Sequence, residues 1–526
     1  MSGVPSGAGL GRAACLAAAL VALSGCRSPQ PQGAAEPPVR AAGVPYAPVA
    51  GLTPEQAAGR LPPMAVDPAA ARPNVVVFVA DDLGYADVST YREGRIPTPN
   101  IDRIGREGAV FTQGYASAPI CSPSRAGLMT GRHQQRFGFE YNTGPPARDP
   151  GERRGLDPRE LTLADALRAA GYRTGAFGKW HLGYSSEFYP LNRGFDEFWG
   201  FLGGQTNHIR PDAPEAVNGA EPASAFVAGN LARPATTVGP GNAVIAGPQR
   251  TRVPLGDGLL TEQITEQALA FIERNRARPF FLYVAHHAPH TPLQVTRKYF
   301  DRFPAIRNRT QRVYAGMVSA LDDGVGAVLD RLQSLGLARD TIVVFVSDNG
   351  CAAYVPDLCS AEPLSGGKLT YLEGGVRIPF LVRWPARIRP GTTHASPVST
   401  LDVFPTVAAA AGVGLPRDRA YDGVDLLAQL AAGPRGGRAP LFWRTDPIRA
   451  MRDGDYKYVQ DLNGAQFLYR LPDDPRETRN LAAGEAGRVA EMRARYGQWE
   501  ADKVAPRWPA RSITYEFDGR TFTFLP

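Results

Sequence analysis

The sequence predicts an α/β protein, with a large, mostly parallel sheet flanked by helices and a smaller C-terminal antiparallel sheet plus helix. Three observations predict it. Unbroken apolar runs of strand length recur along the chain, helix-period patterns lie between them, and the tail breaks into short alternating segments. The composition suits such a fold. The 526 residues are 43% hydrophobic and 21% charged, too apolar for a disordered chain and long enough for more than one domain.

The run at 75–80 (VVVFVA) is β-branched and aromatic, with no polar position to face solvent. Such a strand must be covered on both sides, as in a parallel sheet. The runs at 279–285 (PFFLYVA) and 341–346 (TIVVFV) read the same way. Between them, 160–170 (ELTLADALRAA) carries apolar residues at helical spacing and ends before Gly171, a plausible C′ residue. Segments 264–274 and 313–335 are also helical in period. These elements define a domain over 73–435. The stretch 204–256, rich in Gly, Pro, Ala and Asn, reads as a long irregular insertion over the site. In the tail, 436–526, short strands are expected at 456–459, 466–471 and 513–524, with a helix near 489–499. Asp518-Gly519 between ITYEF and RTFTF is a hairpin signal. The tail is either a second domain or a lobe packed on the first.

The N-terminal segment reads as an address. Arg12 precedes an apolar run at 13–23, too short to span a bilayer but suited to a secretory signal. Leu23-Ser24-Gly25-Cys26 resembles the bacterial lipobox, so residues 1–25 are expected to be a lipoprotein-type signal peptide and Cys26 the lipid-bearing residue. Ordinary cleavage is the alternative. Residues 26–72, rich in Pro, Ala, Gly and Gln, read as a flexible tether. This places the protein as exported, in the bacterial periplasm or at the outer membrane, touching membrane only through that lipid. The net charge of +7 is spread along the chain and no nucleic-acid motif accompanies it, so nucleic acid is excluded as a partner. Five cysteines without zinc-finger spacing exclude a disulfide scaffold or a zinc module.

Two strands end in acidic residues. The first runs into Asp81-Asp82, and 341–346 runs into Ser347-Asp348-Asn349-Gly350. Ligands of open parallel sheets bind beyond the carboxyl ends of strands. If the two strands are neighbours, three carboxylates and an amide converge, and left uncompensated they are costly. A hard divalent cation on oxygen ligands is the simplest compensation, Ca²⁺ first and Mg²⁺ or Mn²⁺ next. The bland alternative is that each group only caps a helix or ends a strand.

Cys121-Ser122-Pro123-Ser124-Arg125 opens a helical segment, with Ser122 expected as N-cap and Pro123 as the first helical residue. Cys121 then sits where free N–H groups favour anions, and Arg125 follows within one turn, close enough to meet it. That charge is expected to lower the thiol pKa. Taken alone, a buried structural thiol is the simpler reading.

With these residues in place, the chain resembles the formylglycine-dependent (type I) sulfatases, arylsulfatase-like members of the alkaline phosphatase superfamily. Cys121, Pro123 and Arg125 match the core of the family's modification motif. The order of the other segments extends the match: Asp81-Asp82, Gly178-Lys179-Trp180-His181-Leu182-Gly183, Ala288-Pro289-His290, Ser347-Asp348-Asn349-Gly350, and Gly367-Lys368 before Glu373-Gly374-Gly375. RAMRDGDYKYV and LYRLPDDPRETRNLA resemble the C-terminal subdomain, so the likeness runs from about 73 to 481.

The resemblance implies an alkaline-phosphatase-like fold and a sulfuric ester hydrolase acting on aryl or carbohydrate sulfates. It implies that a formylglycine-generating enzyme oxidises Cys121 to Cα-formylglycine, whose hydrated form supplies two hydroxyls. One, ionised by the cation with Asp348 assisting, attacks sulfur; the other lets sulfate leave after a base, His181, removes its proton. Asp81, Asp82, Asp348, Asn349 and position 121 are the implied metal ligands. Arg125, Lys179, His290 and Lys368 are implied to bind sulfate, with His290 or Lys368 protonating the leaving oxygen. His286 and His287 read as structural or rim residues, and His208 as a candidate substrate contact. Cys351 and Cys359 flank a loop after the metal segment, and an oxidising compartment would let them pair. Two other functions stand beside this one: a phosphodiester or phosphonate monoester hydrolase of the same superfamily, and a non-catalytic binding homologue. The sulfated substrate itself is set by loops outside these motifs.

Overall fold

The structure is a computed structural model that describes residues 64–67, 69–70, 72–93, 96–144, 154–210, 212–219, 242–355, 358–433, 439–509, 513–517 and 520–524. The expected signal peptide, the lipid-bearing Cys26 and nearly all of the tether lie outside the described residues, as do 220–241 of the insertion and the Asp518-Gly519 turn.

Ten strands build the main sheet. They are β1 (Asn74–Ala80), β2 (Ala109–Phe111), β3 (Arg173–Lys179), β4 (Glu197–Phe201), β5 (Ile245–Ala246), β6 (Thr251–Arg252), β7 (Phe280–Ala285), β8 (Thr341–Ser347), β9 (Phe380–Arg383) and β10 (Thr392–His394). Their spatial order is β10-β2-β9-β8-β1-β7-β3-β4-β5-β6. The central β8, β1, β7, β3 and β4 are parallel, and antiparallel pairings (β8 with β9, β9 with β2, β4 with β5, β5 with β6) lie to either side.

Strand β1 shows why the sequence reads as it does. Val75, Val77 and Val79 enter one hydrophobic core, and Val76, Phe78 and Ala80 enter the other. Both faces are dry, so no polar position survives after Asn74. Each valine and Phe78 contributes roughly 1.5–3 kcal/mol of burial. The first core is roofed by α1 (Cys121–Thr130), α2 (Leu163–Ala169) and α5 (Val403–Ala410), and the second by α3 (Leu260–Asn275) and α4 (Arg309–Ser334).

The expected helices are present with shifted ends. Thr162 accepts the Asp165 N–H at 3.1 Å and Asp165 accepts the Thr162 N–H at 3.0 Å, so α2 starts later than the apolar pattern at 160 suggests. Asn308 caps α4 through the Gln311 N–H at 3.2 Å. Its first turn, Arg309 to Arg312, is polar and carries no apolar period. The 204–256 insertion is not wholly irregular. Its described part supplies β5 and β6, and Ala216–Asn218 pairs antiparallel with Gln294–Thr296. Single backbone pairings of this length leave no period in the sequence.

The C-terminal sheet has four antiparallel strands, β11 (Leu441–Thr445), β12 (Ile448–Asp453), β13 (Tyr456–Gln460) and β14 (Gln466–Arg470), with helix α6 (Ala486–Glu500). Met451, Tyr458 and Leu468 pack on Val489, Met492 and Tyr496 of α6. The other face presents Trp443, Ala450 and Val459 to Tyr115, Ile120 and Val376. The sheet is thus a lobe packed on the larger α/β part. Strands β11 and β12 were not expected, because Arg444 and Arg452 interrupt their apolar alternation. Both arginines are buried, the first on Glu140 and the second against the Tyr115 hydroxyl. A separate hairpin, Ile513–Phe517 with Arg520–Phe524, closes the tail. Among the described residues, no helix is long and apolar enough to cross a membrane.

Candidate active site

The acidic strand ends meet. In the parallel pair β1–β8, Ala80 is level with Ser347, so Asp81-Asp82 and Asp348-Asn349 leave the sheet side by side. Asp82 turns through a left-handed backbone (φ 64°), and its N–H donates to Asp348 Oδ1 at 3.2 Å. Asn349 Nδ2 donates to Asp82 Oδ1 at 2.8 Å. Gly350 has no room for a side chain: a Cβ there would lie 1.8 Å from the Gly374 oxygen. That closeness stacks the acidic turn on the Glu373–Val376 segment.

Helix α1 begins at Cys121, with Ile120 as its N-cap. Ser122 is therefore not the cap, and Pro123 is the third helical residue, not the first. Asn142 does the capping from outside, its Oδ1 accepting the Ser122 N–H at 3.0 Å. A third-position proline is tolerated because that N–H has no partner within a helix. Cys121 Sγ lies 3.6 Å from Asp81 Oδ1, 3.9 Å from Asp82 Oδ1 and 3.3 Å from Lys368 Nζ. The expected low thiol pKa is overturned. Burial pushes it up to about 12, outweighing the charges of Lys179 and Lys368. Arg125 does not turn to Cys121. Its Nε donates to Asp348 Oδ2 at 2.9 Å and its Nη1 to the Lys179 carbonyl at 3.0 Å, while Nη2 lies 2.8 Å from Asp348 Oδ2 as an ion-pair contact without a hydrogen bond.

Neighbouring strands deliver the rest. Lys179 ends β3, and its Nζ sits 2.8 Å from both oxygens of Asp81. Gly178 before it runs at φ 109°, where a Cβ would strike the Ala285 oxygen. Lys368 Nζ donates to Asp82 Oδ2 at 2.8 Å and lies 3.2 Å from His290 Nε2. His290 Nδ1 is 2.7 Å from the Thr291 carbonyl. His181 also has a left-handed backbone (φ 59°), is 4% exposed, and its Nδ1 accepts and donates no hydrogen bond. A Cβ on Gly204 would meet its ring at 3.0 Å. Burial first, then the charge of Lys179, lowers the His181 pKa well below the ordinary value, so its imidazole is neutral.

His286 is structural, buried and stacked on Phe78 at 6.5 Å. His287 is not at the rim. Its Nδ1 is 2.8 Å from Asp81 Oδ2, and its signal in the sequence was only a doubled histidine after a strand. His208 lies behind His290, with Nε2 2.8 Å from the His290 carbonyl, rather than facing an open pocket. Cys351 and Cys359 are paired.

The buried carboxylates are not left uncompensated. Lys179 answers Asp81, Lys368 answers Asp82, and Arg125 answers Asp348. Burial opposes ionisation at Asp81 and Asp348. At Asp81, Lys179, His290, His287 and Arg125 overcome it and hold the carboxyl well below its usual range; at Asp348 burial prevails and the carboxyl rises to about 6. Charge alone therefore does not require a cation, but the donor set fits one. The buried Oδ1 of Asn349 accepts no hydrogen bond. Ligand atoms of Asp81, Asp82, Cys121 and His290 lie within 4.8 Å of one another. The oxygens of Asp81 and Asp82 in that group, with Asn349 Oδ1 beside Asp82, suit a hard cation, whereas the Cys121 sulfur and His290 nitrogen do not select one.

A family model described as Sulfatase matches residues 73–413. The N-acetylgalactosamine-6-sulfatase of Mus musculus is 36% identical over 397 residues, spanning 73% of this chain and 71% of its own length. The steryl-sulfatase of Mus musculus is 37% identical over 433 residues, spanning 69% of this chain and 66% of its own. The crystal structure of Ps i-CgsB in complex with k-i-k-neocarrahexaose superposes with a TM-score of 0.73 at 30% identity, covering 83% of this chain and 94% of that one. With the order of motifs, the sheet and these likenesses in agreement, the chain belongs to the sulfatase family within the alkaline phosphatase superfamily and is a sulfuric ester hydrolase.

Proposed function

We propose that the protein hydrolyses sulfate monoesters of carbohydrates or aryl alcohols through a nucleophile made from Cys121, beside a divalent cation, Ca²⁺ first and Mg²⁺ or Mn²⁺ next. The observation that carries this reading is the place of Cys121 Sγ, 3.6 Å from Asp81 Oδ1 and 3.3 Å from Lys368 Nζ, at the meeting point of the acidic turns and the basic side chains.

Asp81, Asp82, Asp348 and Asn349 would hold the cation, with position 121 alongside. Such an ion supplies charge against sulfate oxygens and lowers the pKa of an oxygen bound to it. Converted to Cα-formylglycine, position 121 would supply an aldehyde that hydrates to two hydroxyls, one to attack sulfur and one to release the enzyme. The thiol is 1% exposed, so a formylglycine-generating enzyme has to meet it before the chain closes over it.

Lys179, Lys368 and His290 bind the sulfate oxygens, and the two lysines share with substrate the charge they now give to Asp81 and Asp82. Arg125 holds Asp348 in place by its Nε bond and ion pair and adds positive charge to the wall. His290 and Lys368, 3.2 Å apart, stand as the proton source for the leaving oxygen. His181, neutral and with Nδ1 unbonded, is a base able to take a proton from position 121.

The N-acetylgalactosamine-6-sulfatase and the neocarrahexaose complex among the relatives favour a carbohydrate leaving group. Export with a lipid on Cys26, removal of 1–25 and a tether over 26–72 belong to the same reading, as does a catalytic domain over 73–435 with a subdomain over 436–526. The Cys351–Cys359 pair supports an oxidising compartment. Peptide mass analysis around position 121 of protein from its native host tests the nucleophile: an aldehyde is expected, and an unmodified thiol in active enzyme would overturn it. Relative turnover of nitrophenyl sulfate against phosphate mono- and diesters tests the substrate class, a diester preference overturning the sulfatase assignment.

A further inference from the structure

We infer that His287 is a positioning residue for the metal centre: by donating from Nδ1 to Asp81 Oδ2, it leaves Oδ1 directed at the Cys121 side. The inference rests on the metal reading above and adds a residue that none of the motifs contains.

The bond is 2.8 Å long and fully buried. An ionised carboxylate can only accept, so the proton of this bond sits on Nδ1. Nε2 lies between the Thr206 N–H at 3.2 Å and the Thr206 carbonyl at 3.1 Å, so Thr206 holds the far side of the ring whether or not Nε2 carries a proton. The ring itself is clamped. His208 stacks on one side at 4.3 Å with planes 4° apart, and His290 packs against it at 5.0 Å. His208 is held in turn by its bond to the His290 carbonyl and by the Leu260 N–H, which donates to its backbone oxygen at 2.6 Å. His287 cannot swing without moving Thr206, His208 and His290.

The consequence lies at Asp81. Oδ2 is committed to His287, while Oδ1 is the oxygen 3.6 Å from Cys121 Sγ. Lys179 bonds both oxygens, yet it is also the side chain a sulfate group would draw away. His287 is the donor that stays. Partners of this kind, a second ring of bonds around a ligating carboxylate, alter metal affinity by about 10–100-fold when removed.

The test uses the full chain, stripped with chelator and titrated with Ca²⁺ by calorimetry, with Mg²⁺ and Mn²⁺ in parallel. His287→Leu is expected to weaken binding by about 10–100-fold. His287→Asn, whose amide nitrogen occupies the Nδ1 position, is expected to stay within a few-fold of wild type, and His287→Gln, whose nitrogen reaches one bond further, is expected to be weak. Affinity of His287→Leu equal to wild type would overturn the inference and leave the metal reading standing. If the Leu variant fails to fold, equal affinities for the Asn and Gln variants would overturn it instead. Wild-type protein that takes up none of the three cations would overturn the metal reading, and this inference with it.

Discussion

Lys368 Nζ stands 3.3 Å from Cys121 Sγ while bonding Asp82 Oδ2 at 2.8 Å, so one ammonium serves both the nucleophile position and an acidic turn. Burial opposes its charge, but Asp82 reverses that and keeps its pKa well above the ordinary lysine value. On the reading proposed above, an ammonium there would neutralise a sulfate oxygen or give a proton to the leaving oxygen. Lys368→Met should lower kcat/KM for nitrophenyl sulfate by about 10²–10⁴-fold. A loss below tenfold, with circular dichroism unchanged, would remove Lys368 from the mechanism.

Cys121→Ala should abolish turnover and leave the fold standing. The side chain is small, and its Sγ contacts of 3.3 to 3.9 Å go to groups that hold other partners as well. Its removal should shift the melting temperature by less than about 4 °C. Residual turnover at the wild-type rate would exclude a covalent role for this position.

Much of this site follows from local features of the chain. Residues 75–80 and 342–346 are apolar throughout because both faces of β1 and β8 are buried, and a strand that ends abruptly in carboxylates delivers them to the C-terminal end of the sheet. Lys179 and His181 arrive the same way from β3. What escaped the sequence depends on distant partners. The helix at Cys121 is capped by Asn142, about twenty residues on, so local cap chemistry pointed to Ser122 instead. The thiol pKa follows from burial, which flanking residues do not report. Strands β11 and β12 hide behind Arg444 and Arg452, whose guanidiniums donate to Glu140 and to the Tyr115 hydroxyl more than 300 residues away in sequence. Which ring of His286-His287 meets Asp81 is decided by the turn after β7, not by the histidine doublet.

Asp422 supplies a pH test away from the acidic turns. It accepts two bonds from Arg136, at 2.7 and 2.8 Å, and the His133 N–H at 2.8 Å. Burial pushes its pKa up, but the charge of His133 and the bonds from Arg136 hold it at about 2, against an ordinary 3.8. The folded state thus binds this proton more weakly than the unfolded state. The stabilisation, about 2 kcal/mol, is complete above pH ~4 and is lost as pH falls through about 2. Asp422→Asn should therefore be less stable than wild type by about 2 kcal/mol at pH 7, with the gap narrowing at pH 3. Urea unfolding of both proteins at pH 7, 5 and 3 measures it, and a gap that does not change with pH would count against the ion pair as its source.

The disulfide between Cys351 and Cys359 closes a loop with a sequence separation of 8. A loop of that size corresponds to about 2.5 kcal/mol of chain entropy removed from the unfolded state. The loop also reaches the site, because the Cys351 carbonyl accepts the Lys368 N–H at 2.7 Å and a Cβ on Gly367 would lie 2.5 Å from the Ala353 Cβ. Opening the bridge should therefore act twice. The double variant Cys351→Ala, Cys359→Ala should lose stability by about 2.5 kcal/mol and also lose several-fold in kcat/KM, because Lys368 loosens. Wild-type enzyme treated with a thiol reductant should move the same way, and its activity should return on reoxidation while that of the double variant does not. Stability that falls with kcat/KM unchanged would mean that the loop braces the fold without positioning Lys368.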